Sequence, residues 1–270
     1  MEIRARGLAL LLSLLGGCAD QQRPIAPTGG PAAPPGRALW FFPGIQGYRF
    51  IWDGALSALR EGGFEGEIHF FDWGRPLRSL DNLTELDENQ RKCAAVARQI
   101  ERFHRDHPHA TIDLLAYSAG AGMALWTAER LPPDIRIRRI ILIQPAVSPD
   151  FDLEPALRHV DETLTCFVSA NDTVILGWGT GTFGTVDRVN GPAAGKDGFN
   201  LARAARDADL RARIVEVQWT PEMRAMGHWG NHNSMISPEW NRRFVAPLLT
   251  SPQPFQQKTG SESAPASTAR

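Results

Sequence analysis

The stretch that decides the fold is AYSAG, residues 116–120, which directly follows the apolar run TIDLL at 111–115. A hydroxyl therefore stands between small residues at the point where a buried strand gives way to a helical pattern. A sharp strand-to-helix turn leaves little room two positions before and after its centre, and Ala116 and Gly120 meet that requirement. The pattern predicts that Ser118 is presented as a nucleophile; an ordinary turn serine is the alternative.

Short apolar runs alternate with longer amphipathic stretches on both sides of this segment. The predicted strands lie at 38–42, 66–73, 111–117, 137–147, 163–170 and 212–219. Helical patterns separate them, and the longest repeats apolar residues every three or four positions from Cys93 to Phe103. Strands that are apolar throughout are typical of a parallel sheet with helices on both faces. The sequence thus predicts an α/β fold of about six mostly parallel strands, which binds ligands at their carboxyl ends.

Composition bounds the class of protein. The 270 residues are 43% hydrophobic and 22% charged, with a net charge of −1. These values suit one sizeable globular domain, or at most two small ones. Because no basic stripe stands out, binding to nucleic acid has no electrostatic support, and we expect no such partner.

The N-terminus, MEIRARGLALLLSLLGGCAD, is predicted to be an export signal. Its start is basic, and its apolar run at 8–15 is too short to span a bilayer. The Leu-Gly-Gly-Cys ending resembles a bacterial lipobox, which implies that Cys18 becomes the lipidated first residue after cleavage. An ordinary secretory signal is the alternative. We expect an exported protein of the cell envelope, anchored by lipid, with Ala19 after the cysteine favouring the outer membrane.

The two ends of the chain differ in composition from its middle. The N-terminal linker is rich in Pro, Gly and Ala, and the C-terminal tail is polar. The predicted organisation is a lipoprotein-type signal peptide at 1–18, a tether at 19–37, one folded domain at 38–250 and a disordered tail at 251–270.

The element order and the serine motif resemble the α/β-hydrolase superfamily, whose nucleophile elbow reads small-x-Ser-x-Gly. The resemblance covers most of residues 38–250, with Ala116 in place of the usual first glycine. It implies an α/β-hydrolase fold and a serine nucleophile that is followed along the chain by an acid and then a histidine. A serine hydroxyl needs both partners, since it is a poor nucleophile at neutral pH.

The resemblance also implies where those partners lie. Asp172, in VSANDTV after the fifth strand, is the predicted acid, although an ordinary polar turn is the alternative. Asp150 and Asp152, after the fourth strand, are the second choice. MGHWGNHNSMISPEW offers His228 and His232 before the last helix; we favour His232 as the base because it lies six residues before Pro238, where the family's histidine fits better. His228 then braces the loop or lines the pocket.

An oxyanion needs backbone N–H donors, and the sequence offers two. Ala119, directly after the nucleophile, is one. The other is Ile45 in the loop FPGIQG after the first strand, with its neighbour Gln46 as the alternative. This loop resembles the family's His-Gly loop, with Pro43 in place of the histidine.

Other segments have two interpretations. The Gly-rich stretch at 176–200 is either a cover over the pocket or a brace for the acid. HRDHPH at 104–109 could suggest metal, but a solvated helix end is favoured. Cys93 and Cys166 are expected to be buried free thiols, with a disulfide as the alternative. Asp72 and Trp73 are interpreted as structural.

The predicted function is a serine hydrolase that cleaves a small-molecule or lipid-like carboxylic ester without a cofactor or metal. An acyltransferase or amidase with the same triad is the first alternative. The second is a non-catalytic lipoprotein that binds an envelope ligand. The sequence leaves the natural substrate and the oligomeric state open.

Overall fold

The structure is a computed structural model that describes residues 36–45, 49–73, 85–172, 185–189 and 191–251. The predicted signal peptide, almost all of the tether and almost all of the predicted tail lie outside these residues. The organisation proposed for the two ends therefore stays a prediction.

Six strands form one sheet in which each neighbouring pair is parallel. They are β1 (Arg37–Phe42), β2 (Glu67–Phe70), β3 (Thr111–Tyr117), β4 (Ile137–Ile143), β5 (Val160–Val168) and β6 (Ile214–Gln218). Their order across the sheet is β2-β1-β3-β4-β5-β6. The chain therefore runs to one edge first and then builds outward from β1 to the other edge.

Helices occupy the connections between the strands. They are α1 (Asp53–Glu61), α2 (Leu86–Asp106), α3 (Gly120–Ala128), α4 (Glu154–Leu157), α5 (Ala194–Asp197), α6 (Leu201–Ala204) and α7 (Ala208–Arg211). The C-terminal helix consists of Pro238–Trp240, a π-helical turn at Asn241–Val245, and Ala246–Thr250. Within the described residues, no helix is both long and apolar enough to span a membrane.

The sheet buries an apolar cluster on each face. Successive side chains of a strand point to opposite faces, so Trp40 and Phe42 join one cluster while Leu39 and Phe41 join the other. Helices α2 and α3 cover the first face, and α1 and the C-terminal helix cover the second. Both faces of the sheet are buried, as the continuous apolar runs of the strands predict.

Helix α3, which follows Ser118, is buried along its whole length. Its sequence GAGMALWTA is apolar on all sides, which is typical of a helix enclosed by the rest of a domain. The segment that carries the candidate nucleophile is therefore held by packing from all directions.

The starts of the strands carry paired charges, and we call this region the amino edge (Arg37, Asp113, Arg138, Arg139 and Glu162). Two guanidinium nitrogens of Arg138 donate to the Asp113 carboxylate at 3.0 and 2.6 Å. Arg139, which is fully buried, donates to Glu162 at 2.5 Å. Arg37 and Arg138 also donate to the carbonyl of Leu249 at 2.9 and 2.7 Å, so the last turn of the C-terminal helix finds partners at this edge.

The fold class predicted from the sequence is confirmed: this is an α/β fold with a parallel six-stranded sheet and helices on both faces. The strands β2, β4 and β6 are shorter than predicted. β4 ends at Ile143 and not at 147, because Gln144 turns out of the strand with a φ of 43°. The thiols of Cys93 and Cys166 are free and buried, as expected.

Candidate active site

Ser118 lies on a tight turn between β3 and α3. Its φ is 56°, a left-handed value that residues with a side chain rarely adopt. The turn is fixed by its peptide groups: Ser118 N–H donates to Ile143 O, and Ser118 O accepts from the N–H groups of Ala121 and Ala146, each at 3.0 Å. The hydroxyl-bearing residue is therefore held against the end of β4 on one side and the start of α3 on the other.

The small residues of the motif have a visible steric cause. A Cβ on Gly120 would lie 2.5 Å from the carbonyl oxygen of Pro43 and closer still to that of Phe42. Those atoms belong to the backbone of the neighbouring chain segment, which cannot move aside as a flexible side chain can. Ala116 pairs with Phe42 on one side and Leu142 on the other and has no exposed surface. The strand-to-helix turn predicted around Ser118 is thus held by close backbone contact.

Three side chains from separate loops meet at Ser118. The Nε2 atom of His232 lies 2.8 Å from the Ser118 Oγ. On the other side of the ring, Nδ1 lies 3.0 and 3.1 Å from the two carboxylate oxygens of Asp172. Ser118 and Asp172 are 7% and 2% exposed, so the chain of hydrogen bonds is largely shielded from water.

Asp172 lies in a turn directly after β5. Its N–H donates to Ser169 O at 2.8 Å, and Ser169 N–H donates to Gly195 O at 2.9 Å. The hydroxyl of Ser169 accepts from Asn171 N–H at 3.3 Å. The carboxylate is thus carried on a hydrogen-bonded turn that is itself bonded to the first turn of α5.

His232 is positioned by an aromatic neighbour of the serine. The Tyr117 hydroxyl donates to His232 O at 2.6 Å, and the two rings lie 4.9 Å apart. Trp52 packs edge-on against the same tyrosine at 4.9 Å. Burial, and secondarily the charge of Asp172, raise the pKa of Tyr117 well above its usual value, so its hydroxyl stays protonated as a donor.

The second histidine of the same loop has a different setting. His228 Nδ1 accepts from Gly230 N–H at 3.0 Å and lies 3.0 Å from Ser234 Oγ. The ring stands edge-on to Trp240 at 4.8 Å. Burial lowers the pKa of His228 to about 4, so the ring is neutral and its accepting Nδ1 carries no proton. The structure brings His232 to Ser118, while His228 braces the loop between them.

The two predicted oxyanion donors lie in chain segments next to the serine. Ala119 is buried at the N-terminus of α3, where the first N–H groups of a helix have no partner within it. Ile45 is buried in the loop after β1, and a Cβ on Gly44 in that loop would lie 3.5 Å from the Ser118 Cβ. Gln46, the alternative donor, lies outside the described residues.

Trp73 fixes the loop that carries Ile45. Its indole N–H donates to Pro43 O at 2.8 Å, and Lys92 Nζ donates to Trp73 O at 2.9 Å. The sequence interpretation of Trp73 as structural agrees with these contacts. What the sequence does not reveal is that it supports the loop beside the serine.

The alternative acids have other partners. Asp150 accepts from the Arg203 guanidinium at 2.5 Å, and Asp152 accepts from Glu154 N–H at 3.1 Å. Asp172 is thus the predicted acid that the structure brings to His232.

The Gly-rich stretch is described only in part, at 185–189 and 191–200. There, Val186 N–H donates to Ala146 O at 2.9 Å, and the Asp187 carboxylate accepts from Ser148 N–H at 3.1 Å. These contacts attach the stretch to the loop after β4. Whether it covers the pocket or braces the acid stays a prediction.

The part of the chain that the structure describes contains no group of three or more His, Cys, Asp or Glu side chains that is placed to hold a metal ion. The histidines of HRDHPH lie at the end of α2 and in the turn that follows it. Cys18, the predicted lipidation site, lies outside the described residues.

Several residues of this site escaped the sequence analysis. Tyr117 and Gln144 contact the loop that carries His232 through hydrogen bonds that join distant parts of the chain. Ser234 lies in that loop, with its Oγ 3.0 Å from His228 Nδ1. Pro145 directly after Gln144 is the one local signal, since a proline rarely continues a central strand.

Comparison with solved structures gives partial likenesses. A cutinase-like protein from Cryptococcus sp. is 16% identical, covers 78% of this chain and 90% of its own, and has a TM-score of 0.41. The RedJ thioesterase from Streptomyces coelicolor is 16% identical, with 85% and 97% covered and a TM-score of 0.41. Aspergillus fumigatus lipase B is 11% identical, with 81% and 53% covered and a TM-score of 0.48.

These likenesses say nothing about what this chain binds or cleaves. No protein-family model matches the sequence. No curated protein matches it either. The function is therefore inferred from the site itself.

Proposed function

We propose that this chain is a serine hydrolase of the α/β-hydrolase superfamily that cleaves carboxylic esters. One observation carries the proposal: the continuous chain of hydrogen bonds from Ser118 through His232 to Asp172, with distances of 2.8 and 3.0 Å. A hydroxyl becomes a strong nucleophile when a neighbouring imidazole removes its proton and a carboxylate orients that imidazole.

In the proposed reaction, Ser118 Oγ attacks the ester carbonyl while His232 Nε2 takes the hydroxyl proton. Asp172 accepts the Nδ1–H hydrogen bond and stabilises the imidazolium. The N–H groups of Ala119 and Ile45 bind the negative oxygen of the tetrahedral intermediate. Collapse of the intermediate expels the alcohol, which takes the proton from His232, and leaves an acyl-enzyme.

Water completes the cycle. His232 removes a proton from a water molecule that attacks the acyl carbonyl, and the second intermediate releases the acid and restores Ser118. The loop that carries His232 also carries Trp229, an aromatic side chain that is 61% exposed. Apolar surface of this kind favours an ester with an acyl or aromatic portion.

Hydrolysis of p-nitrophenyl esters of increasing acyl length tests the proposal. We expect activity in the wild type, a loss of at least about a thousandfold in kcat for Ser118→Ala and His232→Ala, and most of the activity kept in His228→Asn. Asparagine is the matched control because its amide oxygen can accept the Gly230 N–H in place of Nδ1. Full activity in Ser118→Ala would refute the serine mechanism.

One further measurement separates the two enzymatic alternatives. Product analysis with added alcohols distinguishes a hydrolase from an acyltransferase, since a transferase yields a new ester at the expense of free acid.

We also propose export and lipid anchoring through Cys18, on the strength of the Leu-Gly-Gly-Cys sequence. Membrane fractionation of the wild type beside Cys18→Ala tests this, and unchanged membrane association of the variant would contradict it.

A further inference from the structure

Gln144, the first residue after β4, has a backbone conformation that residues with a side chain rarely adopt. Its φ is 43°, a left-handed value that costs free energy for any residue with a Cβ. Its N–H donates to Phe167 O at 2.9 Å, and the carbonyl just before it, that of Ile143, accepts from Ser118 N–H. The strained peptide therefore lies between the end of β5 and the turn that carries the serine.

The side chain of Gln144 reaches the loop that carries the base, which we call the His232 loop (residues 228–234). It is 1% exposed, and its Nε2 donates to Gly230 O at 3.2 Å. Gly230 lies two residues before His232, and its own N–H donates to His228 Nδ1. The side-chain amide of Gln144 thus binds the middle of the His232 loop, while the Tyr117 hydroxyl binds the carbonyl of His232 itself.

The backbone of Gln144 also supports the segment that carries the acid. A Cβ on Gly195 would lie 2.5 Å from the carbonyl carbon of Gln144, so the two chain segments are in close contact. Gly195 O accepts from Ser169 N–H, and Ser169 O accepts from Asp172 N–H. Gln144 therefore touches structure that positions each of Ser118, Asp172 and His232.

One atom of this residue is poorly placed for stability. The Oε1 of Gln144 is buried and has no hydrogen-bond partner within the described residues. A buried unpaired carbonyl and a left-handed backbone both destabilise a fold. A glycine at this position would remove both costs, and a methionine would remove the first. The contact with Gly230 is what either replacement would lose.

We propose that Gln144 is a positioning residue for the reaction proposed above, and that it holds His232 in register with Ser118 through the carbonyl of Gly230. The inference rests on that proposed function. It predicts that loss of the side-chain amide lowers turnover without a matching loss of stability. A residue with a purely structural role would lower both together.

The test compares Gln144→Met and Gln144→Gly with wild type. Methionine keeps the length of the side chain without a donor, and glycine also relieves the backbone. We expect kcat to fall about ten- to hundredfold, because small displacements of a catalytic group cost that much. KM should stay within about twofold, since the buried side chain does not reach substrate, and the melting temperature within about 3 °C.

Thr163→Val is the matched control. Thr163 lies near the start of β5, at the opposite end of the sheet from Ser118, and its buried hydroxyl lies 3.4 Å from Thr165 Oγ1, so the change removes a buried side-chain hydrogen bond from the scaffold. We expect its kcat to equal that of the wild type. The downfield proton resonance of His232 Nδ1–H, assigned by its absence in His232→Ala, gives a readout that needs no activity. It should broaden or shift in both Gln144 variants and stay unchanged in Thr163→Val.

Failure of this inference differs from failure of the proposed function. If the wild type hydrolyses esters and both Gln144 variants keep kcat and the His232 resonance, Gln144 has no positioning role. A fall in melting temperature in proportion to the fall in kcat would also overturn the inference. If the wild type itself is inactive, the serine mechanism fails, while the resonance and melting data still decide whether Gln144 positions His232.

Discussion

The two ends of the sheet are built on opposite principles. At the amino edge, Asp113 and Arg138 form a nearly buried pair, and Arg139 pairs with Glu162 while it also donates to a carbonyl of the C-terminal helix. At the carboxyl ends, Ser118 is held in a left-handed conformation next to the loop that carries His232 and the buried, neutral ring of His228. The amino edge pairs opposite charges and supplies hydrogen-bond donors to the last turn of the C-terminal helix. The carboxyl ends of the strands hold residues in strained backbone conformations.

This difference indicates where stability and chemistry reside in the chain. Residues in sparsely populated backbone conformations persist only when their surroundings determine them, and they cluster at functional sites. Ser118 and Gln144 fit that description, since both have left-handed backbones and directly follow strands. The N–H of Ser118 donates to Ile143 O, and the N–H of Gln144 donates to Phe167 O. The amino edge carries partners for its charges and belongs to the scaffold. The predictions below test this division.

The largest effect on stability is expected at the amino edge. Asp113→Ala leaves the guanidinium of Arg138, which is 11% exposed, without its carboxylate. Breaking such a pair costs about 3–5 kcal/mol in the free energy of unfolding. Urea unfolding should show this loss, while kcat/KM of the folded fraction stays unchanged.

Asp161→Ala provides the control for that experiment. Asp161 pairs with Arg136 at 2.7 Å, but both side chains are well exposed to solvent. Removing an exposed pair costs about 0–1 kcal/mol. Equal losses for the two variants, or a fall in kcat/KM in Asp113→Ala, would erase the distinction between the two ends.

The second prediction compares two glycines at opposite ends of the sheet. Gly120→Ala forces a methyl group against the backbone of Phe42 and Pro43, whereas a Cβ on Gly36 meets nothing within 4 Å. We expect Gly120→Ala to lower the free energy of unfolding by about 1–3 kcal/mol and to reduce activity as the turn shifts. Gly36→Ala should leave both unchanged within error. Thermal melts and ester assays of the two variants together decide; similar behaviour would mean that the turn is not closely packed.

The third prediction concerns pH. Burial lowers the pKa of His228 and of His69 to about 4, from an ordinary value near 6.5. Between these values the unfolded chain binds protons that the folded chain does not. The free energy of unfolding is therefore highest above about pH 6.5 and falls as the pH drops toward 4, by at most about 1.4 kcal/mol per pH unit for each histidine.

Urea unfolding at a series of pH values checks this sign. His228→Asn should show a shallower decline than the wild type across this range, because one of the two histidines with a lowered pKa is gone. Curves for the two proteins that stay parallel would mean that His228 is not buried as a neutral ring.

Much of the architecture was predictable because it depends on local pattern. Six apolar runs separated by helical stretches predict the parallel sheet, and the small residues around Ser118 predict the turn at the end of β3. The sequence also singles out His232, which lies beside Ser118 in the structure, and Asp172, which lies on the other side of the imidazole ring. Their catalytic role stays a prediction that the experiments above test.

What the sequence did not reveal depends on contacts between distant segments. Gln144 reads as a strand residue, and only the packing of Gly195 and the carbonyl of Gly230 explain its turned backbone. The different settings of His228 and His232 also could not be predicted, because the position of His228 depends on contacts with Ser234 and Trp240 that no spacing rule identifies. Tertiary contacts of this kind fix side chains to within a fraction of an ångström, which pattern cannot do.

The central claim is that Ser118 is an activated nucleophile. Intact-mass analysis after treatment with a fluorophosphonate probe, followed by peptide mapping, tests it most directly. The account predicts one adduct per chain on Ser118, none in Ser118→Ala and greatly slowed labelling in His232→Ala. A wild-type protein that stays unmodified, or one modified equally in Ser118→Ala, would contradict it.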